Sequence, residues 1–243
     1  MPEQKVFVAS EESKAQAKQL RLFAILSWVV AIAGEIFAIF KLIHNKTLVW
    51  LIVAIVVILI LAITGSMLWK KANRLDPASE KDKVKFFIQN QLGAILGVLA
   101  FLPLVIAIFM NKDIDKKTKG IAGVIAVIAM LIAGITGIDF NPPSIEKYTA
   151  QINQQDSVLS KLTPGSNLVY LAKEGTVYHI YRDCQYIKNR DGVTQATIRQ
   201  AFEQRGLSQL CKACEKRAMK EKNLSPADLG LKNDVPGETD TTQ

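Results

Sequence analysis

The chain has 243 residues, 49% of them apolar, and a formal charge of +8. The apolar residues collect in four blocks before Asp139, which excludes an ordinary soluble domain over that stretch. Residues 1–140 hold 16 Lys/Arg against 10 Asp/Glu and residues 141–243 hold 14 against 12; the excess charge thus lies between apolar blocks, where it sets membrane orientation more often than it binds nucleic acid.

Residues 1–21 read as a polar N-terminal tail, and the apolar stretch behind them is too long, and lacks a small-residue cleavage site, for a secretory signal. The blocks run Leu22–Ile43, Leu48–Trp69, Phe87–Met110 and Ile121–Ile138. Crossing a hydrocarbon core of about 30 Å takes roughly 20 apolar residues, which three blocks exceed and the fourth, at 18, nearly reaches. Buried core helices are the alternative, but the blocks offer water almost no polar face. The expectation is a four-helix transmembrane domain over residues 22–140. Ten Lys/Arg flank the spans on the side of the N-terminal tail and the loop after Trp69, against six on the two hairpin loops. That balance places both termini in the cytoplasm, in a multi-pass protein of the inner cell membrane. Trp50 and Trp69 fall at opposite ends of the second block, as an interfacial aromatic belt would place them.

Within the blocks, Leu59–Gly65 and Leu131–Gly137 share the pattern Leu-Ile-x-x-Ile-Thr-Gly, which suggests two tandem hairpins related as a parallel repeat. Glu35 is the one formal charge deep in a block, a candidate intramembrane polar site with Ser27 or Thr64 as neighbours to bond. Gly93 and Gly97 form a small-xxx-small pair for close helix contact, and Pro103 should bend the same helix. Gln89-Asn90-Gln91 fits either a vestibule lining or a solvated helix end.

Asn141-Pro142-Pro143 stops the last span, and Ser144 can cap a polar connector helix reaching Leu162, before the turn signal Thr163-Pro164-Gly165. Residues 141–165 are therefore a connector and residues 166–225 a small α+β domain. Its expected elements are a hairpin of strands 167–173 and 176–181 around Glu174-Gly175, and a helix from Thr194 to about Gln204 ended by Gly206. Residues 226–243, rich in Pro, Gly, Asp and Thr, read as a flexible tail.

All three cysteines and one of the two histidines fall in this domain: His179-x4-Cys184, then 26 residues, then Cys211-x-x-Cys214. Two closely spaced pairs are the pattern of a tetrahedral Zn²⁺ site with Cys and His ligands. A metal-free CxxC with redox chemistry, or plain buried thiols, are the alternatives. The stretch Gly175-Thr-Val-Tyr-His179 with Cys184, then Ala201-Phe-Glu-Gln-Arg-Gly206 leading to Cys211-Lys-Ala-Cys214, resembles the metal-binding domain of the Ada DNA-repair proteins. That resemblance covers residues 167–217 and implies a zinc held by His179, Cys184, Cys211 and Cys214, with His179 standing where the family has its first cysteine. In the repair proteins a zinc-bound cysteine accepts a methyl group from a DNA phosphotriester. The whole architecture is also similar to uncharacterised bacterial four-span membrane proteins with such a tail, a likeness that implies no activity.

A closed four-ligand site has no open position for a substrate, so the ion should be structural. Arg199, Arg205, Lys212, Lys216 and Arg217 cluster near the CxxC as candidate contacts to an anionic surface, nucleic acid or lipid headgroups, although a solvated helix face explains them as well. Three functions follow. The first is a non-enzymatic membrane protein whose cytoplasmic zinc module binds a protein partner or a ligand. The second is a small transporter or channel built from the duplicated hairpins, as a homo-oligomer, with Glu35 in its path. The third is a DNA-binding or methyl-accepting protein akin to the Ada modules. No Ser-His-Asp set, paired catalytic carboxylates or phosphate loop marks another enzyme class.

Overall fold

The computed structural model describes residues 6–207 and 209–230, apart from the side chains of residues 204 and 205. It divides into two compact units: a helical bundle, Ala9–Ile145, and a module made of residues 6–8 with residues 146–230.

The first bundle helix, α1 (Glu11–Lys41), begins inside the stretch that sequence alone reads as a tail. Ser10 caps it by accepting from the Ser13 N–H, and Glu11 and Glu12 sit favourably at the positive end of the helix dipole. The buried face of α1 carries Ala17, Ala24, Ala31 and Ala38, one small residue every seventh position, together with Ser13, Trp28 and Glu35. Opposite it, α2 (Leu48–Leu75) buries Leu51, Ile55, Ile58, Ala62 and Gly65 with coiled-coil spacing. Large residues of α1 such as Phe23, Val29, Phe37 and Phe40 are exposed instead. Small residues inward and large apolar residues outward are what a bundle in lipid requires.

Sequence predicts one bent third helix; the structure breaks it into α3 (Lys83–Leu99) and α4 (Leu102–Met110). Pro103 lacks an N–H and its ring excludes the preceding turn, so the chain restarts at Leu102. The last bundle helix is α5 (Lys116–Gly137), started by Asp115, which accepts from Thr118. Gly93 and Gly97 do serve close contact. A Cβ on Gly97 would lie 2.8 Å from the Ala133 carbonyl oxygen, and one on Gly137 2.4 Å from the Ala94 nitrogen. The segments Glu11–Lys41, Asn45–Leu75, Lys83–Met110 and Lys116–Gly137 are each long and apolar enough to cross a membrane.

Polar side chains near one end of the bundle are spent on backbone carbonyls. Trp69 Nε1 and Asn73 Nδ2 both donate to the Gln89 oxygen at 2.7 Å, and the Lys70 ammonium donates to the Thr136 and Ile138 oxygens at 2.7 Å. Gln89 and Gln91 donate to the Asp76 and Asp139 oxygens, and Asn90 is buried, so this triplet fastens helix ends rather than lining a vestibule. Trp69 also packs on Trp28 at 5.6 Å between ring centroids, which leaves Trp50 alone of the expected aromatic pair on the outer surface.

The module opens with α6 (Ile145–Leu162), whose Ile152, Val158, Leu159 and Leu162 are buried. Strand β1 (Leu168–Leu171) pairs antiparallel with β2 (Thr194–Thr197), Leu168 opposite Thr197. That corrects two expectations. The segment 176–181 contributes only isolated bridges, at Tyr178 and His179, rather than a full strand, and Thr194 opens a strand rather than a helix. The helix α7 (Ile198–Arg205) starts later because Thr197 forms a capping box with Gln200; Gly206, at φ +65°, ends it. The helix α8 (Lys212–Lys222) follows. Phe7 is buried in this unit, edge-on to Tyr148 at 5.1 Å and Phe202 at 5.7 Å, and its N–H donates to Thr149 Oγ1 at 2.9 Å. Leu229 joins the same core, and the expected flexible tail from residue 231 onward lies outside the described residues.

Candidate metal centre

Backbone pairing sets the site before any side chain acts. Tyr170 N–H donates to the His179 oxygen at 2.7 Å and His179 N–H returns to the Tyr170 oxygen at 2.9 Å, which fixes His179 to the edge of β1. One residue earlier, Tyr178 faces the other way. Its N–H donates to the Gln209 oxygen at 3.0 Å, and the Cys211 N–H donates to the Tyr178 oxygen at 2.9 Å. Residues 178 and 179 thereby bring β1 and the approach to α8 side by side, although 32 residues separate His179 from Cys211. Cys211 is the N-cap residue of α8 and Cys214 lies in its first turn. Cys184 sits in a turn where its carbonyl accepts from both Ile187 and Lys188 at 2.8 Å.

The result is one cluster. His179, Cys184, Cys211 and Cys214 are all buried, and one potential ligand atom from each lies within 4.8 Å of every other. Cys214 Sγ is 3.7 Å from His179 Nδ1. A tetrahedral ion with a metal–sulfur bond of about 2.3 Å and a metal–nitrogen bond of about 2.0 Å separates such atoms by roughly 3.6 Å, so the spacing fits. His44, the other histidine, is exposed on the first hairpin loop and takes no part.

The electrostatics of the bare cluster point the same way. Burial pushes the Cys214 thiol up to about 12, opposed by hydrogen bonds from the Ile180 and Tyr181 backbone. Burial also holds the His179 imidazole below its ordinary value, with the Arg190 charge adding to the effect. Burial alone thus favours a neutral Cys214 thiol and a neutral His179 imidazole. A divalent cation at the centre of the cluster supplies the charge that makes thiolates the favoured form. Three thiolates around a divalent ion leave a net charge of about −1, and cations stand nearby to meet it. A cleft of about 420 Å³ lined by His179 and Cys211 carries Arg190 and Lys212; a second, of about 300 Å³ and lined by Cys184 and Cys214, carries Arg217.

Of the other sequence-predicted residues, Lys212 and Arg217 line these clefts, but two of the arginines are already engaged by acidic neighbours. Arg199 pairs with Glu203 at 2.6 Å. Arg217 bonds Asp183 and Glu221 at 2.9 Å and lies over the Tyr181 ring at 4.1 Å. Lys212 and Lys216 are exposed, and the Arg205 side chain lies outside the described residues. Glu35 is buried, but neither Ser27 nor Thr64 is its partner, since both donate to backbone oxygens of α2. Its carboxylate instead accepts from the Leu104 N–H at 3.0 Å. That donor sits just after Pro103 in the first turn of α4, where no carbonyl of its own helix can serve it, so Glu35 caps a broken helix from across the bundle. Sequence reasoning missed Phe7 altogether. Its only signal was the short apolar run Val6-Phe7-Val8-Ala9 in an otherwise polar segment; the burial of Phe7 is seen only in the fold.

Comparison with family models, curated proteins and solved structures finds no match, so the site is read from its own geometry.

Proposed function

We propose that the chain is a multi-pass membrane protein, both termini cytoplasmic, whose C-terminal module holds one structural Zn²⁺ and presents its surface to a protein partner or ligand without catalysing a reaction. The observation that carries this reading is the set of four buried ligand atoms within 4.8 Å of one another, drawn from two distant stretches of chain. Zinc is favoured because a Cys3His donor set suits a tetrahedral ion of borderline softness, and because the ligand stretch resembles the Ada-type modules. The structural role follows from the donor count: four protein ligands fill the coordination sphere. Four apolar helices support the membrane assignment, and the Lys/Arg balance of their flanks supports the orientation.

Elemental mass spectrometry of the purified full chain tests it. About one zinc per chain is expected, falling to near zero in His179→Ala and in Cys214→Ser, with loss of module folding and retention of bundle helicity. A folded, metal-free wild-type module would overturn the zinc reading and leave Cys211 and Cys214 as a redox pair.

A further inference from the structure

The outer surface of the bundle carries one groove whose floor is a glycine with no steric reason to be one. Gly65, Gly97, Gly123 and Gly137 each lie so close to a neighbour that a Cβ would come within 3.0 Å of it. Gly34 differs: a Cβ there would sit 3.5 Å from Ile58, an ordinary contact. Glycine in mid-helix is unfavourable relative to alanine, so the space at Gly34 is kept against the preference of the helix. That space is the floor of a cleft of about 500 Å³ between α1 and α2, walled by Val30, Phe37, Trp50, Val53 and Val57 and almost entirely of carbon.

Its length and its mouth identify the occupant. Along α1 it runs from Val30 to Leu42 and along α2 from Trp50 to Leu61, about 17 Å at 1.5 Å per residue. One leaflet of a bilayer is about 15 Å of hydrocarbon. The groove ends at the first hairpin loop, where Lys41, His44 and Lys46 are exposed and Trp50 stands 67% exposed at the rim. Residues 36–75 contain no Asp or Glu, so this loop brings two ammonium groups and no acid of its own. The loop is also held in place: Thr47 Oγ1 donates to the Leu42 and His44 oxygens, and Asn45 Oδ1 accepts from the Asp115 N–H at 2.9 Å. A carbon-lined slot one leaflet long, capped by a tryptophan and two lysines, is complementary in length and charge to one anionic lipid.

We infer that the groove between α1 and α2 binds a single anionic phospholipid, one acyl chain lying on Gly34 and Ala54 and the phosphate held by Lys41 and Lys46. The inference rests on the membrane reading of the bundle.

Native mass spectrometry of the detergent-solubilised full chain tests it, with phosphatidylglycerol and phosphatidylcholine of identical acyl chains as probes. Each lysine at an anionic headgroup contributes about fivefold, so one phosphatidylglycerol should be retained about thirtyfold in preference. Lys41→Gln/Lys46→Gln should abolish the preference, while Lys116→Gln/Lys117→Gln on the other hairpin should keep it. Gly34→Leu fills the floor and should release the lipid, while Gly34→Ala, which meets only an ordinary contact, should weaken its retention by a smaller factor. Equal retention of the two lipids by wild type, or retention undiminished in Gly34→Leu, would overturn the site. A dimer that disappears in Gly34→Leu while lipid stays would assign the groove to a second copy of the chain and overturn it too. A chain recovered in buffer without detergent would instead defeat the membrane reading on which the site depends.

Discussion

Along α1 of the bundle the inward seam is mostly alanine and many large residues face outward; in the module the order is the usual one. Ala17, Ala24, Ala31 and Ala38 make the seam of α1 while Phe37 and Phe40 look out, whereas Tyr178, Leu171 and Ile187 are fully buried beneath the polar surface of the module. The difference reflects what each unit can exclude. A surface made of apolar side chains matches lipid, so burying more of them gains little, and cohesion comes from close backbone approach and from polar groups with no water to meet. The module buries apolar area in the ordinary way, but residues 146–230 form a small core, of a size that disulfides or a structural ion commonly reinforce.

The comparison can be broken first at the glycines, where the effect should be largest. Gly137→Ala sets a Cβ against the backbone of Ala94, which cannot rotate away, and forces α3 and α5 apart. Overpacking of that kind costs about 3 kcal/mol. Gly34→Ala meets only an ordinary contact with Ile58 and should be stabilising by about 0.5 kcal/mol through helix propensity. Denaturant titration in mixed micelles, followed by helical circular dichroism, separates the two. Equal midpoints for the two variants would show that close backbone approach is not what holds the bundle.

The module has its own sensitive point outside the Cys/His cluster. Phe7 is buried against Tyr148 and Phe202 although it precedes the first helix, so Phe7→Ala opens a cavity in the module rather than in the bundle next to it in sequence. Buried Phe→Ala changes cost about 3 kcal/mol. Hydrogen exchange should show the loss across α6 and α7 with the bundle amides unchanged. Loss of protection in α1 alone would place Phe7 with the bundle and redraw the division between the units.

What the sequence discloses differs between the units for the same reasons. Four spans, the Gly93/Gly97 contact and the ligand quartet all rest on residue type and spacing, and each is legible. The break before Pro103 was legible only as a bend, because whether a proline bends or breaks a helix depends on who serves the freed donors, and here Glu35 does so from α1. Strand pairing was read wrongly for a related reason. The hairpin turn at Ala172–Gly175 exists, with Gly175 N–H bonded to the Ala172 oxygen, yet the partner that β1 takes is Thr194–Thr197. The segment that sequence offered as that partner instead gives Tyr178 to the approach to α8, where the Cys211 backbone needs it. Tyr178 and His179 thus pair to opposite sides of one short extended segment, the first with the approach to α8 and the second with β1, an arrangement between distant residues that no local pattern displays.

The smallest effect tests the charge of the module surface. Glu221 is held below the ordinary carboxylate range, first by the Tyr181 hydroxyl and then by Arg217. A depressed carboxylate contributes stability above its unfolded value and loses it as pH falls through the folded one. Removing Arg217 should therefore raise the Glu221 titration only part of the way back, since Tyr181 remains, and should shift acid unfolding to slightly higher pH. Carboxyl-carbon NMR titration of the wild type and Arg217→Ala measures both changes. Such exposed pairs contribute little to stability, so their consequence lies in what Arg217 is free to do. A guanidinium already shared between Asp183 and Glu221 is poorly disposed toward an external phosphate. If Glu221 titrates identically in the two proteins, the pairing is not maintained in solution, and Arg217 rejoins Lys212 and Lys216 as a basic face open to an anionic partner.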